Sequence, residues 1–193
     1  MSKAVIQGNA SGTGTFTIAA PNSNSNRTLT LPDNSGVLLS NATTAGFPAG
    51  SVLQVVSTTK LDAFTTTSLT PVDITGLSVS ITPSSATSKI LVLSHVFVSS
   101  NATSGGYLNL VRNSTALSVG TAGSVNSTFS SWEQSSSFWG SIPAMFLDSP
   151  NTTSATTYKV QAFVTGGTIY INRRGSDTTI GGSASITVME IAA

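Results

Sequence analysis

Both tryptophans of the chain stand close together in the stretch from Phe129 to Trp139, FSSWEQSSSFW, among serines. At a rim, the flat faces of Trp132 and Trp139 beside the Glu133 carboxylate, the Gln134 amide and serine hydroxyls would suit stacking and hydrogen bonding with sugar rings. The commoner use of such large side chains is to fill a core or a subunit interface. A second cluster, Arg173 and Arg174 followed by Gly175 and Asp177, suits recognition of an acidic sugar or a phosphate through paired donors. It equally suits a polar hairpin loop with a local ion pair to Asp177. Trp132, Glu133, Gln134, Trp139, Arg173 and Arg174 are therefore the candidate ligand-binding residues.

Catalytic chemistry has less to draw on. His95 is the single histidine, and a general base needs a nucleophile or an orienting carboxylate close by. A strand histidine satisfied by a neighbouring hydroxyl or backbone carbonyl is the simpler expectation. The acids are Asp33, Asp62, Asp73, Glu133, Asp148, Asp177 and Glu190, scattered singly with neither a tight pair nor calcium-loop spacing. Glu133 and Asp148 could meet across a sheet, but any two acids might be brought together by accident. With no cysteine, disulfides and thiolate metal ligation are excluded. The expectation is a protein that is not an enzyme, with no catalytic residue, no metal site and no cofactor. Asn-x-Ser/Thr triplets, those at Asn9, Asn101 and Asn151 among them, are what chance supplies in a chain rich in Asn, Ser and Thr.

The elements that must position these residues are strands. The stretch from Lys89 to Ser100, KILVLSHVFVSS, puts Ile90, Val92, Val96 and Val98 on one face and Leu91, Leu93, His95 and Phe97 on the other. Branched side chains and the upstream Pro83 favour a strand over a helix, and the apolar content of both faces predicts cover on both sides. Further strands are expected near 51–59, 72–74, 77–82, 106–112, 115–119, 127–133, 141–147, 156–165, 168–172 and 184–191. Turn chemistry predicts a hairpin at Arg112–Ser114 and another at Gly166–Gly167. The pattern is all-β, an antiparallel sandwich or jelly roll.

Composition limits the partners. With 39% hydrophobic residues and a mean hydropathy of +0.22, 193 residues suffice for one sizeable core. Only 8% are charged, and Ser plus Thr make up about a third, so hydroxyls and amides must carry solubility. A net charge of +1 provides no field to gather phosphates, so nucleic acid is not an expected partner. No stretch is long and apolar enough for a membrane-spanning helix, and no apolar leader follows Met1, so neither membrane insertion nor a secretory signal is expected.

Residues 1–43 read as a separate module of short, half-apolar strands, 44–50 as a linker, and 51–193 as the head. About 40 residues with few large side chains bury too little surface to stand alone. Identical copies that complete each other's sheets would supply what is missing, so oligomerisation is expected.

The segment GNASGTGTFTIAAPNSNSNRTLTLPDNSGVLLS resembles the shaft-like repeat of tail-fibre and related virion proteins of tailed bacteriophages, marine and cyanobacterial ones in particular. GSVLQVVSTT at 50–59, SVSITPSSATSKILV at 78–92, FLDSPNTTSATTYKVQ at 146–161 and the closing ASITVMEIAA resemble their C-terminal domains. The resemblance implies a homotrimer on the virion surface, made in the host cytoplasm, with a jelly-roll head like that of the C1q and tumour-necrosis-factor group. It implies docking on other virion proteins through residues 1–43 and attachment of the head to a host cell-surface glycan or protein. The alternative is a capsid decoration or head-fibre protein. The stretch Gly120–Gly140 departs from the resemblance and is where a variable binding surface is expected.

Overall fold

The computed structural model describes residues 11–15, 17, 24–26, 28, 47–100, 105–123, 125–130 and 139–193, with Ser130 and Trp139 described by backbone alone. The chain divides into two compact units, Met1–Val37 and Leu38–Ala193, and the fold set out below belongs to the second. The strands expected in residues 1–43, and the first part of the linker at 44–50, lie largely outside the described residues.

The described residues form eleven strands and no helix: β1 (Val52–Lys60), β2 (Phe64–Thr66), β3 (Val72–Ile81), β4 (Lys89–Ser100), β5 (Gly106–Arg112), β6 (Thr115–Leu117), β7 (Phe129–Ser130), β8 (Trp139–Asp148), β9 (Thr156–Val164), β10 (Ile169–Ile171) and β11 (Ala184–Ile191). One sheet runs β1-β11-β4-β10-β2, with β8 on the other flank of β4. The second runs β3-β9-β5-β6, with β7 also on β5. The chain alternates between antiparallel sheets, β3 and β5 in one and β4 in the other, then β8, β9 and β10 in turn, as a jelly-roll-like sandwich does.

The alternation of β4 explains the core. Ile90, Val92, Val96 and Val98 are fully buried, and Ala184, Ile186 and Val188 of β11 and Ile169 and Ile171 of β10 extend the same inner face. Opposite them stand Leu77, Val79 and Ile81 of β3, Leu108 and Leu110 of β5, and Tyr158, Val160 and Ala162 of β9. Each Val, Leu or Ile so buried contributes about 1.5–3 kcal/mol. The expectation of cover on both faces of β4 is corrected. Leu91, Leu93, His95 and Phe97 are only half-buried, because the second sheet packs on one side alone.

Two polar clamps fasten the elements together. Asp148, at the end of β8, accepts both oxygens' bonds from Arg112 Nη1 at 2.8 Å and the Tyr158 hydroxyl at 2.6 Å, tying one sheet to two strands of the other. Burial, and then the neighbouring Asp148 carboxylate, push the Tyr158 hydroxyl far above its usual range. Glu190, fully buried on β11, accepts Ser84 N and Ser84 Oγ at 2.7 Å and Gln54 Nε2 at 2.5 Å, which pins the turn between β3 and β4.

Three further expectations change. Residues 72–81 form one strand, not two; its register on β9 shifts between Asp73 and Ser78, a bulge that Gly76 accommodates at φ 80°. Gly166 and Gly167 do not close a hairpin. β9 pairs with β3 and β5 while β10 pairs with β4 and β2, so the turn carries the chain from one sheet to the other. Both strands bury their inner side chains in the shared core, and turn chemistry alone does not say which sheet receives the second. β2 was not anticipated; it is three residues long and pairs only with β10. The hairpin between β5 and β6 forms as expected, with Asn113 at φ 52°.

Val96→Asp is expected to abolish cooperative folding, because an unpaired buried charge costs several kcal/mol against a total stability of about 5–15 kcal/mol. Loss of the thermal transition by circular dichroism checks it. For Glu190, burial raises the carboxyl pKa, but the donors from Gln54, Ser84 and Ser88 outweigh it and leave the folded value below the ordinary 4.5. The ionised group therefore contributes stability above pH 4.5 that is lost as pH falls through the lowered folded value. Glu190→Gln is expected to destabilise by about 1–3 kcal/mol at pH 7 and to flatten the acid limb of denaturant-measured stability.

Candidate functional site

Trp132, Glu133 and Gln134 lie outside the described residues. Trp139 opens β8, and its backbone lies opposite Ser99 of β4. Ser99 in turn lies opposite Tyr170 of β10. One register row thus crosses three neighbouring strands at Trp139, Ser99 and Tyr170, and Arg173 and Arg174 follow directly from that row.

The arginines sit on a small ear. β10 and β11 pair with the same flank of β4, at Val98–Ser100 and Lys89–His95, and residues 172–183 leave the sheet between them. Asn172, at φ 61°, donates its amide N–H to Phe97 O at 2.9 Å, and its side-chain Nδ2 to Lys60 O at 2.9 Å and Asp62 O at 3.2 Å. Arg173 bridges to Gly181, Arg174 N donates to Ile180 O at 3.0 Å, and Gly182 N donates to Asn172 O at 3.0 Å. Glycine allows the ear to lie flat on the sheet. A Cβ at Gly182 would stand 2.3 Å from Phe97 Cγ, and one at Gly175 would stand 2.9 Å from Tyr170 Cε2.

The two arginines have different surroundings. The Arg173 guanidinium lies over the Tyr170 ring, 4.5 Å from its centre. Arg174 is paired with Asp177, which also accepts the Thr179 hydroxyl and, at 2.9 Å, the Thr179 amide. Arg174 first, then these Thr179 donors, hold the Asp177 carboxyl well below the usual carboxylate range. The local ion pair anticipated for this loop is present, and it engages Arg174 alone. Arg173 has no carboxylate partner among the described residues.

Beyond the ear the outer face of the same sheet is apolar and bare. Leu91 of β4 lies between Leu147 of β8 and Met189 of β11, and Met189 faces Val55 of β1. In the next row Leu93 lies between Met145 and Thr187, with Ser57 beyond. Met145 is 74% exposed, Leu147 55% and Val55 55%. These rows contain no charged residue; Lys89 stands at their margin and donates to Ser149 Oγ at 2.8 Å.

His95 lies on this face. Its Nδ1 accepts the Ser185 amide at 3.1 Å and lies 3.2 Å from the Ser185 hydroxyl. A backbone amide can only donate, so Nδ1 is the acceptor in this contact. Asp148, the described member of the Glu133–Asp148 pair, is committed to Arg112 and Tyr158. Among the described residues no group of three His, Cys, Asp or Glu could hold a metal ion. Comparison with protein-family models and with curated proteins returned no match.

Sequence reasoning missed Tyr170 and the bare rows. Tyr170 alternates with Ile169 and Ile171 and reads as one more strand residue. Met145 and Leu147 sit in IPAMFLD, where inward and outward residues are alike apolar, so periodicity does not tell the faces apart.

Gly182→Val is expected to lift the ear off Phe97 at a cost of about 1–3 kcal/mol. Hydrogen exchange should then quicken at the amides of Arg174 and of the substituted position while the β4 amides keep their relative protection.

Proposed function

We propose that this chain is a non-enzymatic virion protein of a tailed bacteriophage, a homotrimer whose sandwich head attaches to the host cell surface. The observation that carries it is the bare apolar face of Leu91, Leu93, Met145, Leu147, Met189 and Val55 on a head that otherwise relies on hydroxyls for solubility. Such a face on an isolated chain favours association. Identical copies are the occupant it suits, because an uncharged surface meets its own copy without like-charge repulsion and offers nothing to attract a charged partner. The three-fold order and the phage assignment rest on the N-terminal resemblance.

A binding role accords with the site better than a catalytic one. The His95 nitrogen that could accept a proton is occupied, and Asp148 and Glu190 are locked in clamps between elements. The ear sits at the end of the sheet, away from the bare rows, so a copy docked there would leave Arg173 available. Three heads on one axis would multiply weak contacts through effective concentration, which makes modest affinity per site sufficient for attachment.

Light scattering on the full chain is expected to give a trimeric mass, and Met145→Lys with Leu147→Lys to give a monomer that still melts cooperatively. A parent that is monomeric at micromolar concentration with intact β-sheet circular dichroism overturns the reading. The labelled parent trimer is expected to bind cells that the phage adsorbs to. Failure there, with labelling of the phage shell, would transfer the protein to capsid decoration.

A further inference from the structure

We infer that Arg173 is the anion-recognising residue of the head and that its ligand is the carboxylate of an acidic sugar, with Arg174 serving only to brace the ear. The inference rests on the attachment reading above and names the ligand class of that same site.

The two neighbouring cations have been separated by their surroundings. Arg174 is neutralised within the ear by Asp177, whose remaining capacity is filled by Thr179 and by the more distant Ser176 hydroxyl at 3.4 Å. Arg173 has no carboxylate partner among the described residues, so residues 172–183 hold two arginines against one carboxylate. Its Nε, like that of Arg174, is buried without a hydrogen-bond partner among the described residues. The two Nη groups form the fork that matches the two oxygens of a carboxylate.

That fork is held in place before any ligand arrives. Tyr170 supports the guanidinium plane, and Tyr170 is itself fixed on β10 between Thr65 and Ser99. Gly175 donates its amide to Ser99 Oγ at 2.9 Å and leaves no room for a larger residue against the ring. A planar cation preorganised on a ring loses less freedom on binding than a mobile one. The rest of the head offers no broad positive field, so a single oriented carboxylate on an otherwise neutral, hydroxyl-rich molecule fits this surface better than a polyanion. An acidic glycan has that chemistry, with hydroxyls that Ser and Thr side chains can meet.

Isothermal titration of the full chain with methyl galacturonoside, 3′-sialyllactose, their methyl esters and inorganic phosphate tests the inference. The parent is expected to bind at least one of the two acids about tenfold or more tightly than its ester, the change that loss of one charge-assisted bond produces. Arg173→Gln is expected to remove that preference at an unchanged melting temperature, and Arg173→Lys to weaken it. Arg174→Gln is expected to keep the preference while lowering the melting temperature. A parent that binds neither acid, or binds acid and ester alike, overturns the inference, as does a preference that survives Arg173→Gln. Competition by phosphate at equal strength overturns the sugar assignment. The trimeric mass and cell binding are measured separately, so a trimer that adheres to cells without this preference loses the anion site and retains the attachment role.

Discussion

The inner face of β4 packs Ile90, Val92, Val96 and Val98 against the second sheet, and the rest of the head is arranged around that contact. β4 is the longest strand and the junction of its sheet: β8 takes one flank over ten residues, while β11 and β10 divide the other. Full burial of one face of a strand forces alternate residues to the opposite face, whatever their chemistry. Here the opposite face is also apolar, and the single chain covers only its upper end.

The ear follows from that arrangement. Because β10 and β11 share one flank of β4, the residues joining them must leave the sheet and return within a short distance. Glycines at 175 and 182 let them do so against Tyr170 and Phe97. The excursion places Arg173 over Tyr170 and leaves the lower rows uncovered. The proposed binding site and the proposed association surface are thus two halves of one sheet face, divided by one loop.

A chain with few charges has assigned nearly all of the described ones. Lys60 meets Asp62, Lys159 meets Asp73, Arg112 meets Asp148 and Arg174 meets Asp177, while Glu190 is satisfied by neutral donors. Elsewhere hydroxyl pairs across strands, Ser57 with Thr187 and Ser80 with Thr157, take the place that ion pairs hold on more charged sheets. A cation left without a carboxylate stands out against that background. Of the two described, Lys89 donates to Ser149, and Arg173 is the one held on an aromatic ring.

The all-β class, the bounds of β4, β5 and β11 and the sandwich architecture were legible in the sequence, because two-residue periodicity and turn residues are local signals. The ion pair at Asp177 was legible for the same reason, its partners being three residues apart. What local pattern could not convey was pairing. Gly166 and Gly167 look like a hairpin turn, yet which sheet β10 joins depends on the vacant flank of β4, a neighbour about 70 positions away in sequence. Likewise IPAMFLD and KILVLSHVFVSS are apolar on both faces, and only the packing of the second sheet decides that Met145 and Leu91 point outward. The different surroundings of Arg173 and Arg174 were invisible for the same physical reason: adjacent residues on a strand-like wall point to opposite sides, and what each side meets is set by the tertiary fold.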